Sequence, residues 1–530
     1  MSDRDLEAFL VCAREQAMAI DGDSDDGALP SLASVVAGAR VVGMGESQHY
    51  VGEFNRFRSR LLRHLVCHHG FTAFVFECGV VEAKCTHDYV LGLHNDRDRA
   101  HLGIDSTFGL WRGTQSAVDW MRARNERSGG HEKVRFYGMD GSQGWSGAET
   151  SLAYACEFLE AIDPEAASTF RDALLPLARS LILSNVDEAP QDDLRELACG
   201  LDRLETHFRV EAMHYIERAG FDAYDWAQRS AIVAHRIGAM LVAVRESPEQ
   251  RFRTWWNMRD ACMAEQLLWI LRREGPDARL LVAAHNIHLQ KDFARETDIP
   301  LTTMGQHLAA RLPGHDYVVI AGTSDESLKP EDPAMDGSFQ SALARLGLQS
   351  FLLDLRAINE PQARLWLDRE KPDRSAVSYQ PLRTAAAWDA IFYVRTIALD
   401  DLRLPKSLAR AARDPDPETV VGIVGTFEFD GVTDDPVELT ICEEEGVLVT
   451  DGSNSDGELF PIPRSRLHAM SSDAFYWDGW SMELVCERDA NEAVTTVGIR
   501  YPGEPVKYWG RRMKALPRRT PHRQPESVVD

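Results

Sequence analysis

Two stretches of this chain pair a histidine with a second chemistry-bearing side chain at short spacing: Glu46-Ser47-Gln48-His49, and His285-Asn286-Ile287-His288. A carboxylate that orients an imidazole makes a general base able to activate water, and the same residue types bind divalent metals or cap helices. The run "GESQH" also comes close to the G-x-S-x-G turn that exposes a nucleophilic serine. His49, however, stands where that tight turn wants its second glycine.

Glu77 follows "TAFVF", and a carboxylate at the end of a buried strand is costly without a cation or hydrogen-bond donors. Arg56, Arg58 and Arg63, on the intervening helical stretch, are the candidate partners. If the turn after "VAAH" is helical, His285 and His288 share one face. Glu46, His49, Glu77 and His285 could together ligate a water-activating divalent ion, although no H-E-x-x-H or comparable zinc motif is present. No other cofactor is expected.

These residues need elements to carry them. Short apolar runs at "ARVVGMGES", "TAFVFECG", "VRFYGMD", "RLLVAAHN", "DYVVIAG" and "SFLLDLR" alternate with helix-length segments, which predicts an α/β core around a mostly parallel sheet. The first four runs end in polar clusters, where open α/β sheets carry their functional groups. Between about 145 and 275 the strand signal disappears and apolar residues recur at helical spacing, predicting a large helical lobe inserted into a domain spanning 1–400. Residues 401–419 are charged and proline-bearing and read as a linker. Short strands separated by Gly/Asp turns predict a small antiparallel β module over 420–509, and 510–530 reads as a basic, disordered tail.

Length and charge narrow the function. At 530 residues the chain exceeds a single core of about 150 residues, and its net charge of -25 opposes binding to nucleic acid or an anionic membrane surface. That balance points to a neutral or cationic small-molecule partner. The N-terminus lacks a signal peptide's basic flank and unbroken apolar stretch. Nine cysteines without a C-x-x-C pair fit a reducing cytoplasm.

Taken together, "VVGMGESQHYVGEFNRFRSRLLRHLVCHHGFTAFVFECGVVEA", "FYGMD", "RDACMAEQLLWIL", "VAAHNIHLQK", "MGQHL" and "WDAIFYV" closely resemble the erythromycin esterase family, in its order, over roughly 32–396. The resemblance implies an α/β core with a helical lobe over an acidic cleft, and hydrolysis of an ester or macrolactone; the best-known members open the ring of macrolide antibiotics. It places the catalytic glutamate and histidine on Glu46 and His49 and the active-site arginine on Arg58. The second buried glutamate falls on Glu77 and the downstream pair on His285 and His288. Acyl transfer or cyclisation in a natural-product pathway is the alternative use of the same site. Thr114-Gln115 stands where many members carry a glutamate. Were His49 part of the helix, Glu53 and Arg56 would share its face, so the implied role of Arg58 requires His49 to lie in the turn before it.

Overall fold

The computed structural model describes residues 3–20, 29, 32–104, 108–129, 133–141, 145–296, 299–326, 334–374, 379–401, 403, 422–429, 437–444, 447–451, 465–477, 483–489, 493–500, 506 and 508–513. The chain divides into two compact units, 1–406 and 407–530.

The first unit is built on eight strands: β1 (Met18–Ala19), β2 (Val41–Glu46), β3 (Ala73–Gly79), β4 (Arg135–Asp140), β5 (Leu280–His285), β6 (Tyr317–Ser324), β7 (Ser350–Asp354) and β8 (Ala390–Val394). Their order in the sheet is β1-β7-β8-β6-β2-β5-β3-β4. Strands β4, β3, β5, β2, β6 and β8 run parallel, while β7 pairs antiparallel with both β8 and β1. All residues of β2, β3 and β5 are buried, as expected of parallel strands covered on both faces. The register sets Glu46 directly beside His285 at the carboxyl ends of β2 and β5. In β3 the register with β4 shifts between Phe76 and Gly79, so Glu77 lies in an irregularity of the kind that re-aims side chains at strand ends.

Helix α1 (Gly52–His68) buries Phe54, Phe57, Leu61, Leu62 and Leu65, and Arg58 falls on that same face. Helix α2 (Arg112–Arg127) packs against it. Between β4 and β5 the described residues form six α-helices: α3 (Glu149–Ile162), α4 (Pro164–Ser180), α5 (Gln191–Val210), α6 (Ala212–Ala219), α7 (Phe221–Glu246) and α8 (Arg251–Glu274). Leu152, Leu159, Leu197, Leu201, Leu204, Ala234, Ile237 and Leu241 join the lobe to the core cluster that also contains β4 and β5 residues. Two short helices follow β5, α9 (Asn286–Leu289) and α10 (Met304–Arg311).

The second unit is a closed antiparallel barrel of eight strands: β9 (Gly425–Phe429), β10 (Val437–Glu444), β11 (Val447–Asp451), β12 (Ser465–Ala469), β13 (Ala474–Trp477), β14 (Glu483–Arg488), β15 (Val494–Arg500) and β16 (Tyr508–Arg512). Alternate residues such as Phe427 and Phe429, Leu439 and Ile441 fill its interior. β16 pairs with β9, so the module extends to Arg512, beyond the expected boundary at 509. Most of the expected linker and residues 514–530 of the expected tail lie outside the described residues.

The glycines of "VVGMGE" serve a close approach. Asn286 donates to the Gly322 carbonyl at 2.7 Å and accepts from its amide at 3.2 Å, tying α9 to β6 across β2. A Cβ at residue 45 would collide with the Asn286 side-chain oxygen. Gly45→Ala is therefore expected to destabilise the first unit by about 1–3 kcal/mol in denaturant titration; an unchanged unfolding midpoint would show that this bridge does not constrain the strand ends.

Candidate active site

Two sets of buried charges stand at the carboxyl ends of β2, β3, β4 and β5. The first is Glu46, His49 and Arg58. Strand β2 ends at Glu46, and His49 lies in the turn before α1, as the implied role of Arg58 requires. Tyr50 adopts a positive φ of 64°, unusual for a side-chain-bearing residue, and stacks on Trp111 at 4.8 Å. Glu46 is 2% exposed and divides its oxygens: Oε1 meets His49 Nδ1 at 2.8 Å, and Oε2 accepts from Arg58 Nη1 at 3.2 Å. Arg58 also donates to Asn55 and lies over the Phe76 ring. Burial alone would raise the Glu46 carboxyl, but Arg58 and the His49 hydrogen bond hold it below the usual value.

An ionised Glu46 accepts only, so its contact fixes the proton of neutral His49 on Nδ1 and leaves the Nε2 lone pair available. The His49 side chain is 36% exposed, and its ring meets Phe108 and His285 edge-on at 5.0 and 5.1 Å. Glu53 and Arg56 pair with each other at 2.6 Å.

The second set surrounds Glu77. Here the structure corrects the sequence reading: the cation beside Glu77 is Arg259 of α8, at 3.2 Å, and none of Arg56, Arg58 and Arg63. Arg259 also grips Asp140, at the end of β4, through Nε and Nη2. The other Glu77 oxygen accepts from the His285 amide at 2.6 Å. His288 is stacked on Trp256 at 4.8 Å, with Nε2 3.3 Å from Glu77 and Nδ1 2.8 Å from Asp260. Burial disfavours the charged ring, but Asp260 and then Glu77 outweigh it and raise His288 to about 9. Burial raises the Asp260 carboxyl above its usual value, against the pull of His288, Arg259 and the Met304 amide toward the ionised form. Glu77 is held well below the usual value because His288 overcomes its burial.

His285 differs from His288. Burial, with His49 adding to it, lowers its pKa to about 3, so the ring is neutral. Its Nε2 lies 3.1 Å from the Ser47 carbonyl and its Nδ1 accepts from the Ile287 amide, so Nε2 carries the proton and donates it to Ser47. The ring thereby braces the turn that carries His49. Ser47 itself is buried; His49 Nδ1 meets Glu46, and His285 Nε2 meets the Ser47 carbonyl oxygen, not its hydroxyl.

The six residues singled out in the sequence thus converge. Arg259, Asp260 and Asp140 complete the set, and one signal pointed to Asp260: it lies on the apolar stripe of α8 with Trp256, Met263, Ala264 and Leu267. A charge on such a stripe requires a buried partner. The set Glu46, His49, Glu77 and His285 does not suit a metal ion, because Arg58 and Arg259 already neutralise both carboxylates and His285 donates its Nε2 proton. Among the described residues no three His, Cys, Asp or Glu side chains group to hold one. No helix of the described residues is long and apolar enough to cross a membrane. Gln115 is buried, and its amide donates to the carbonyls of Gly109 and Arg403.

A histidine oriented by a buried carboxylate at the carboxyl edge of an α/β sheet has the arrangement of a general base. An erythromycin esterase family model matches residues 66–397, and the chain belongs to the erythromycin esterase family of hydrolases. It is similar to erythromycin esterase type II of Escherichia coli, with 25% identity over 315 residues covering 57% of this chain and 73% of that protein. Type I of the same organism is 27% identical over 341 residues, covering 62% and 79%. A solved structure of an erythromycin esterase mutant, EreC in its open conformation, shares the fold with a TM-score of 0.59 and 22% identity, covering 73% of this chain and 98% of that one.

The raised pKa of His288 makes stability pH-dependent. A folded pKa of about 9 against an unfolded value of about 6.5 gives a contribution fully present below the lower value and lost as pH rises through the upper. The melting temperature is expected to fall over that window, and His288→Gln is expected to flatten the slope. An equal slope in the variant would place the titration elsewhere.

Proposed function

We propose that this protein hydrolyses a carboxylic ester or macrolactone by direct attack of water, with His49 as the general base. The observation that carries this reading is the 2.8 Å contact between His49 Nδ1 and a buried glutamate that Arg58 keeps ionised, on a ring that remains partly open to solvent. Water gives a proton to His49 Nε2 as its oxygen bonds to the carbonyl carbon. Glu46 stabilises the resulting imidazolium. On collapse of the tetrahedral intermediate the C–O bond to the leaving alcohol breaks, and Nε2 returns the proton to the departing alkoxide.

Two relatives bear the name erythromycin esterase, which supports a macrolide lactone as substrate. The net charge of -25 favours a cationic ligand, such as a macrolide bearing an amino sugar. The His285 contact with the Ser47 carbonyl supports a bracing role for that ring.

The test is mass spectrometry of reactions with erythromycin, simpler lactones and acyl esters. A single ring-opened product heavier by one water is expected from a lactone, and an acid plus an alcohol from an acyclic ester, with turnover lowered by about a hundredfold or more in His49→Ala and by about tenfold or more in Glu46→Gln. Near-normal turnover by folded His49→Ala would overturn the mechanism. An acyl group appearing on a second molecule in place of water would identify a transferase.

A further inference from the structure

Asp260 stands apart from the six residues that the family resemblance places in the site, yet it is fully buried and connects three elements. Oδ1 lies 2.8 Å from His288 Nδ1 of α9, and Oδ2 accepts from the Met304 amide at 2.7 Å, in the first turn of α10. Its neighbour on α8, Arg259, holds Glu77 and Asp140 at the ends of β3 and β4. Two consecutive residues of the last lobe helix therefore grip the ends of two strands and the starts of two helices.

The contacts of His288 specify its protonation. Nδ1 faces Asp260 and Nε2 faces Glu77, and an ionised carboxylate only accepts hydrogen bonds. Satisfying both requires two N–H groups on one ring. The other charged and titratable groups around this ring are Arg259, which opposes its charge, the neutral His285 and, through Arg259, Asp140; Trp256 covers one face.

A chain of contacts leads from this ring to the reacting histidine. His288 meets Glu77, Glu77 accepts from the His285 amide, and the His285 ring donates to the Ser47 carbonyl two residues before His49. We infer that Asp260 is a positioning residue of the hydrolytic site: from the buried stripe of α8 it keeps both ring nitrogens of His288 as donors, and through Glu77 and His285 this fixes the turn that presents His49. The inference rests on the proposed role of His49 and extends it to a residue that touches neither water nor substrate. It also gives a physical reason for "RDACMAEQLLWIL" and "MGQHL", which otherwise contribute no reacting group.

Asp260→Asn is close to isosteric. Its amide oxygen can still accept from Met304 and its NH2 can donate to His288 Nδ1, which must then be unprotonated. The substitution thus keeps the hydrogen bonds and removes one proton from the ring. A purely structural Asp260 would tolerate this exchange; the positioning role would not.

The experiment records nitrogen NMR spectra of histidine-labelled wild type and Asp260→Asn, identifies His288 with a His288→Gln reference, and measures kcat and KM for an ester that the wild type turns over. In the wild type His288 is expected to carry two ring protons at neutral pH and to lose one only near pH 9. In Asp260→Asn it is expected to be neutral at pH 7, with kcat lowered about tenfold or more and KM changed less than about twofold. A His288 that is already neutral at pH 7 in the wild type overturns the inference, even if the variant fails to fold. So does an unchanged kcat in a variant whose His288 has been neutralised. If the wild type turns over no ester, the hydrolase reading fails separately, and the spectra still decide whether Asp260 sets the state of His288.

Discussion

Carboxylates at the closed ends of buried parallel strands must be neutralised, and the rest of the site follows from how that is achieved. Glu46, Glu77 and Asp140 stand at the carboxyl ends of β2, β3 and β4 with side chains almost withdrawn from water. Each would be several kcal/mol unfavourable as an isolated ion. Arg58 comes to the first from the buried face of α1, and Arg259 comes to the other two from the lobe. Because Arg58 occupies only one oxygen of Glu46, the other is free to orient His49. The charge balance that makes folding tolerable also prepares a base.

The lobe is therefore more than a cover. Helix α8 delivers Arg259 and Asp260 into the strand ends, while the indoles of Trp255 and Trp256 lie against Arg259 and His288. Buried charge pairs gain from low dielectric only when every partner is in place. Helix α8 and the sheet edge consequently depend on each other, and an altered α8 changes the electrostatics beneath His49 without touching a substrate.

Much of this was legible in the chain. Alternating apolar runs indicate the α/β class, and their polar ends hold Glu46, Glu77 and His285. His49 precedes α1, which reconciles helical spacing with the place of Arg58. The partner of Glu77 is not legible in the sequence: proximity favours the arginines of α1, whereas Arg259 is 182 residues distant and reaches Glu77 only through the sheet order. Apolar periodicity carries no information about which strand lies beside which, and β5 inserting between β2 and β3 is what brings the two histidines to the two glutamates. The state of each histidine was equally hidden, since His285 and His288 differ by their contacts alone. Alternation along the C-terminal strands indicated an antiparallel module, but closure into a barrel depends on the pairing of β9 with β16, two segments far apart in sequence.

The central claim is that water, activated by His49 on the Glu46 carboxylate, is the nucleophile. Intact-protein mass spectrometry of the enzyme quenched during turnover tests it most directly, because a serine route passes through a covalent acyl-enzyme and the water route does not. The account predicts an unmodified protein mass throughout turnover, with the oxygen of water appearing in the product carboxylate. An acyl adduct that maps to Ser47 would contradict it.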